Sequence, residues 1–266
     1  MSIRSIYYRF SCKGSMFEKY FTSKLKVMMK KIFCAALILF SLNNLVSGQE
    51  SSEKNGPWQN MYSNGKLKAT GQFQHGIPIG EFTHYYEDGK KRASVVFSNN
   101  GRIAQSTTYY PTGNVMAVGK YIDQQKDSTW LYYADSTDKL LSKEHYIHGN
   151  LEGESLTYYP GTKQAAEIII YKKGKKQGPL LKYFPDGSLM TRGTYVNDLL
   201  DGEFFLYYPD GKPQLIGAYS KGEQIGDWKY FDEEGNEMSY DDFVNQTSKP
   251  IEVADPDQDP KNKQPF

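Results

Sequence analysis

The sequence predicts an all-β fold: an elongated, twisted antiparallel sheet of tandem β-hairpins, about eight copies of about 24 residues. Three observations carry this. Residues 80–90 read GEFTHYYEDGK and residues 202–212 read GEFFLYYPDGK, nearly the same letters far apart in the chain. A turn glycine recurs at Gly65, Gly89, Gly113, Gly161, Gly187, Gly211 and Gly235, at spacings of 24, 24, 48, 26, 24 and 24. The chain holds 22 Tyr, 14 Phe and 24 Gly, and aromatics favour strands while glycine favours turns. Only 38% of residues are hydrophobic, so a thin sheet whose neighbours share aromatic contacts fits better than a large spherical core.

The N-terminal elements come first. Residues 28–48 have the form of a signal peptide. Lys30 and Lys31 give a positive start, residues 32–42 an apolar run, and Val46-Ser47-Gly48 a small-residue cleavage site. The run is short for a membrane span and is followed by Asn43 and Asn44; an uncleaved anchor is the alternative. Residues 1–27 then read as a gene-model extension, with Met28 or Met29 as the start. Both cysteines, Cys12 and Cys34, lie ahead of the cleavage point, so the mature chain is expected to hold no disulfide and no thiolate metal site. The expected location is periplasmic, cell-surface or secreted. Residues 49–57 read as a polar linker, 58–240 as the repeat array, and 241–266, rich in Pro, Asp and Lys, as a disordered tail.

Each copy opens on glycine, an acid and an aromatic: Gly80-Glu81-Phe82, Gly202-Glu203-Phe204, Gly226-Asp227-Trp228. A tyrosine pair follows: Tyr85-Tyr86, Tyr109-Tyr110, Tyr132-Tyr133, Tyr158-Tyr159 and Tyr207-Tyr208, with Tyr183-Phe184 as a variant. Pro209-Asp210-Gly211 suits a type I turn, with proline setting φ at its second position. The second strand carries a glycine (Gly71, Gly119, Gly193, Gly217) and an aromatic two residues on (Phe73, Tyr121, Tyr195, Tyr219). A loose turn near Gly76, Gly149, Gly174 or Gly222 leads to the next copy. The copy spanning residues 127–143 lacks its turn glycine, and sheet geometry is least determined there. Alternation along a strand sends one tyrosine of each pair inward and the other outward.

These motifs, G-E-[FW]-x-x-Y-Y-x-D-G-K with a G-x-Y second strand, resemble the bacterial variant of the membrane occupation and recognition nexus (MORN) repeat. The resemblance implies an elongated hairpin array without catalytic residues. Some bacterial members are labelled antitoxins of toxin–antitoxin pairs, but a cytoplasmic antitoxin has no need of a signal peptide.

No catalytic constellation stands out, and no catalytic residue, cofactor or metal is assigned. His145 and His148 are three apart, on opposite faces of a strand, which does not suit a shared metal. Asp255, Asp257 and Asp259 alternate like half a calcium loop, but Pro260 and Phe266 stand where glycine and glutamate are needed. Glu81, Glu154, Glu203 and Asp227 recur at the repeat period, which points to a shared scaffold role against edge pairing. Charge is uneven. Residues 1–31 hold eight Lys or Arg against Glu18, a net +7, which leaves −6 for the rest of a chain of net +1. An acidic body argues against binding nucleic acid or anionic lipid. The second tyrosines, Tyr86, Tyr110, Tyr159 and Tyr208, are the candidate binding surface, since aromatic rows anchor proteins and stack on sugars; covering the thin sheet is the other role open to them. The resulting expectation is a non-enzymatic exported scaffold for an unidentified envelope or extracellular protein. A glycan- or cell-wall-binding module is the alternative, and an antitoxin or an enzyme ranks below both.

Overall fold

The structure, a computed structural model, describes residues 54–135 and 139–248. The signal segment, the extension before it and the tail beyond residue 248 lie outside the described residues. The strands are β1 (Gly56–Met61), β2 (Leu67–Gln74), β3 (Ile77–Tyr85), β4 (Lys91–Ser98), β5 (Ile103–Tyr109) and β6 (Val115–Ile122), then β7 (Gln125–Tyr133), β8 (Leu140–Ile147), β9 (Asn150–Leu151), β10 (Gly153–Tyr158), β11 (Ala165–Lys172) and β12 (Lys175–Tyr183). They continue as β13 (Leu189–Val196), β14 (Leu199–Leu200), β15 (Gly202–Tyr207), β16 (Pro213–Ser220), β17 (Glu223–Phe231) and β18 (Glu237–Met238), followed by helix α1 (Tyr240–Ser248). All pairings are antiparallel between neighbours along the chain, with β9 and β10 both pairing with β8 and β14 and β15 both pairing with β13, making one open meander of eight hairpins. Two strands per hairpin predict sixteen. The described count is 18 because two leading strands break, at Glu152 and Asp201, whose N–H groups donate to the His145 and Thr194 carbonyls at 2.9 Å.

The first turn follows its sequence. The Gly211 N–H donates to the Tyr208 carbonyl at 2.9 Å across Pro209-Asp210, and the Asp210 carboxylate accepts from the Lys212 N–H at 3.0 Å. The second turn is not loose. His75-Gly76 have φ of 48° and 73°, Asn197-Asp198 50° and 71°, Lys221-Gly222 50° and 85°. Two successive residues at positive φ make a type I′ hairpin turn, whose twist matches the strands it joins. The turns of neighbouring copies are laced together: the Gly149 N–H donates to Lys126 O and the Gly174 N–H to Leu151 O, both at 2.8 Å.

The second-strand glycines make room for rings. Between β2 and β3 the register passes from Thr70↔Thr83 to Gln72↔Ile79, so Gly80-Glu81-Phe82 bulge against Gly71. The bulge lays the Phe82 ring on the Gly71 backbone; a Cβ there would lie 2.3 Å from the ring. Gly119 seats Trp130 and Gly217 seats Trp228 the same way, with Cβ clearances of 2.1 and 2.3 Å. Where the facing residue has a side chain, the ring is gone: Ile169 faces Leu180, and Val95 faces Ser106. The seated rings join the second-strand aromatics edge to face, with Phe73–Phe82 at 5.1 Å, Tyr121–Trp130 at 4.8 Å and Tyr219–Trp228 at 5.1 Å between centroids. These form the inner face, where Phe82 and Trp130 are buried within a single sheet.

Three expectations change. β1 begins at Gly56, inside the expected linker. Helix α1 takes in Tyr240, the last residue of the expected array, and residues 241–248 of the expected disordered tail. Ser239 caps α1, its hydroxyl accepting from the Asp242 N–H at 3.1 Å, and the Tyr240 and Phe243 rings lie 5.5 and 5.0 Å from Tyr230. The fourth copy keeps its ladder from Ser128↔Tyr146 to Tyr133↔Leu140 although residues 136–138 of its turn lie outside the described residues. Ser128 stands at the bulge glycine's place and takes its φ, 60°.

Candidate binding surfaces

The four tyrosines expected on the outer face are not there. β3 ends at Tyr85, so Tyr86 lies past the strand, at the start of the turn, where alternation no longer applies. Tyr110, Tyr159 and Tyr208 are buried and Tyr86 is half-buried. Each hydroxyl donates to a backbone carbonyl of the next copy: Tyr86 to Tyr109 O at 2.7 Å, Tyr110 to Tyr133 O at 2.9 Å, Tyr159 to Tyr183 O and Tyr208 to Phe231 O at 2.7 Å. Tyr62 does the same to Tyr85 O. Burial raises the pKa of all four second tyrosines, which keeps their hydroxyls protonated and donating. They are staples between copies. Tyr110 reaching Tyr133 O also shows that Tyr132-Tyr133 is one residue out of phase, with Ala134 in the staple position.

The staple is missing at Ala134, and at Phe184, a ring without a hydroxyl. Phe184→Tyr is expected to add a bond to the Tyr207 carbonyl and raise stability by about 1 kcal/mol, or about 2–4 °C in Tm. Thermal unfolding measures it; an unchanged midpoint would mean that this junction holds its strands too far apart for the bond.

The outer face carries a different row. Phe205 and Tyr207, two apart on β15, stack at 6.0 Å with ring planes 9° apart, on the side opposite Phe204. Cross-strand partners extend the row through Phe205: Val118↔Leu131, Leu156↔Ile168, Ile168↔Leu181, Phe205↔Ile216. Lys143 and Arg192 are its charged members, and the Arg192 guanidinium lies 4.5 Å over the Phe205 ring. At the N-terminal end the same row is Thr70, Thr83, Ser94 and Thr107, so the outer face turns from polar to apolar at Val118. The apolar part crosses nine strands, about 40 Å at ordinary strand spacing. Its apolar side chains are half-buried, and among the described residues the helix α1 packs on β17, beyond the row.

The densest titratable cluster lies on the inner face. The Lys126 ammonium sits 4.5, 5.2 and 4.8 Å from the ring centroids of Trp130, Tyr132 and Tyr146 and donates to the Tyr132 hydroxyl at 2.6 Å. The Tyr146 hydroxyl donates to Glu144 at 2.8 Å. Burial pulls the Lys126 pKa down, opposed by Glu144, and pushes those of Tyr132 and Tyr146 up. Glu144 pairs with Trp130 in the ladder, at the place where other copies have a seat for the next ring. The space is filled from within, so the cluster is an internal cation–π and hydrogen-bond network.

The other polar residues are scattered. His145 faces Thr129 at 3.5 Å, while His148 sits in a turn with φ of 46°. Glu81 accepts from the Ser94 hydroxyl at 2.6 Å and lies 3.8 Å from Lys91, exposed on the outer face. Among the described residues no three His, Cys, Asp or Glu side chains come together as metal ligands, and no helix is long and apolar enough to cross a membrane.

Four segments of the chain, residues 54–75, 78–99, 176–197 and 200–221, match the family model described as the MORN repeat variant. No curated protein sequence matches the chain. Among solved structures, the crystal structure of TarM is similar over 59% of this chain and 26% of that one, at 10% identity and a TM-score of 0.29. That of TcdB2-TccC3-TEV is similar over 69% of this chain and 12% of that one, at 13% identity and a TM-score of 0.18. At these scores neither likeness bears on fold or function.

Proposed function

From the premise that the chain is a MORN-repeat protein, we propose that it is a non-enzymatic scaffold that acts outside the cytoplasm and docks an envelope or extracellular protein on its outer face. The apolar row from Val118 to Ile216 is the observation that carries this reading. Long unpartnered apolar surface on a soluble array marks an interaction site, and Phe205, Tyr207 and Arg192 are the residue types that anchor protein interfaces. Export is supported by the signal-like residues 28–48. A non-catalytic role is supported by the polar side chains that recur at the repeat period, since a reacting pair would break that symmetry. With Tyr110, Tyr159 and Tyr208 buried and the hydroxyls of all four second tyrosines engaged, those rings serve neither a protein nor a glycan; the mostly aliphatic outer row of Leu131, Leu156, Ile168, Leu181 and Ile216 favours the protein reading over the glycan alternative.

The test is crosslinking in a native-like host of the protein expressed from Met28, as wild type and as Leu181→Glu/Phe205→Glu. Both substitutions face outward, so the unfolding midpoint should hold. One dominant envelope protein is expected with the wild type and is expected to fall at least about tenfold in the double variant, since desolvated aromatic anchors carry most interface energy. Equal recovery with both proteins would overturn the outer-face assignment. An uncleaved cytoplasmic chain bound to a toxin-like protein would overturn the location.

A further inference from the structure

The hairpins obey a pairing rule that the last one breaks. In each of the first seven, a fixed residue of the leading strand faces an aromatic of its own second strand. Gly80 faces Phe97, Ala104 faces Tyr121, Ser128 faces Tyr146, and the series runs to Gly202 facing Tyr219. In the eighth, β18 meets β17 only at Tyr230↔Met238 and Phe231↔Glu237. Among the described residues no strand pairs with the outward side of Gly226, Asp227, Trp228 and Lys229. Asp227 and Lys229 are exposed. Among the described residues the Trp228 Nε1–H is buried without an acceptor, whereas its counterpart in Trp130 donates to Lys120 O at 3.1 Å. The spacing would bring Phe243 opposite Gly226, since both Gly202 to Tyr219 and Gly226 to Phe243 span 17 residues. Phe243 instead lies in α1, packed on Tyr230.

We propose that residues 226–229 are a strand-acceptor site for an extended segment of a partner protein. The segment runs antiparallel to β17, places an aromatic side chain opposite Gly226 and a basic one near Asp227. Backbone pairing at an open edge supplies affinity, and alternate side chains supply selectivity. The aromatic follows from the seven completed hairpins. The base follows from Glu81, the counterpart of Asp227, which has Lys91 of the neighbouring strand 3.8 Å away. A second copy pairing through its own residues 226–229 fits poorly. The edge-to-edge register that sets Trp228 opposite Gly226 also sets Asp227 against Asp227, and like charges directly opposite are destabilising. The site is independent of the outer-face reading, because an array that docks nothing on that face still has this edge.

The probe is a peptide with the β4 sequence, residues 91–98, which holds Phe97 and Lys91, and a control with Phe97→Ser. Amide hydrogen exchange is measured in the chain expressed from Met28. With the peptide at saturation, exchange at residues 226–229 is expected to slow by about tenfold or more, while amides elsewhere and the control peptide show no change. No slowing with the β4 peptide overturns the proposal. So does slow exchange at these residues before peptide is added: independent of protein concentration, it means that residues 239–244 fill the edge; rising with concentration, it means that a second copy does.

Discussion

Gly119→Ala is expected to destabilise the array by about 3 kcal/mol, through overpacking of a fully formed core contact. The Trp130 ring lies where the new methyl would go, 2.1 Å from an ideal Cβ, and Trp130 is 1% exposed with no space to retreat into. The ring can move only by giving up its contact with Tyr121 and its bond to the Lys120 carbonyl. The loss should appear as a fall of about 6–12 °C in Tm for a domain of this size. The array also contains its own compensation. At another junction the seat is Ile169 and the facing residue is Leu180, both buried. Gly119→Ile/Trp130→Leu is therefore expected to be more stable than the sum of its single changes by about 1 kcal/mol or more, the coupling expected of residues that share one space. Additive losses would mean that glycine and ring are not a matched pair. The second-strand glycines would then not be ring seats at any junction.

That pairing marks the limit of what the sequence discloses. The period, the Pro-Asp-Gly turn and the leading Gly-acid-aromatic triplet are local signals, each read from a few adjacent residues. The seat is not local. Gly71 and Phe82 belong to different copies, and nothing in the string says that one lies under the other until the bulge at Gly80 is known. The staples are hidden in the sequence for a related reason. Strand alternation extended one residue past Tyr85, the end of β3, sends Tyr86 outward, whereas in the turn its ring is half-buried and its hydroxyl bonds the next copy. The clue was its constant position just before the turn, about one period from the carbonyl it reaches. The outer row was legible. Phe205 stands two before Tyr207, Leu181 two before Tyr183 and Leu131 two before Tyr133, and that spacing on a strand puts each pair on one face. The final helix was hidden by competing signals. Phe243 keeps strand spacing, but Ser239 with Asp242 three residues on makes a helix cap, and the cap prevails.

The stability of the native array should fall between about pH 6.5 and pH 4 by about 2–3 kcal/mol on account of His84 alone. His84 lies on the inner face between Ala69 and Ala93, both buried. Burial pulls its pKa down to about 4, and Arg92 and Lys68 add to the shift in the same direction. The sign follows from which state takes the proton. Above the ordinary histidine pKa both states are neutral and the full stability is present. As the pH falls through the window, the unfolded chain is protonated first, so the native state loses ground until its own histidine titrates near pH 4. Exposed carboxylates such as Asp123 and Asp210, whose pKa values are lowered by hydrogen bonds, also weaken the fold in acid, so the histidine has to be isolated by difference. His84→Thr does this with a residue the array already accepts, since Thr108 fills the same row position beyond Ala93 and is buried there. Denaturant unfolding at pH 7 and pH 4 should show the wild type losing about 2–3 kcal/mol more than the variant. Curves that fall in parallel would mean that His84 takes up its proton inside the folded array, and that this row of the inner face is open to water.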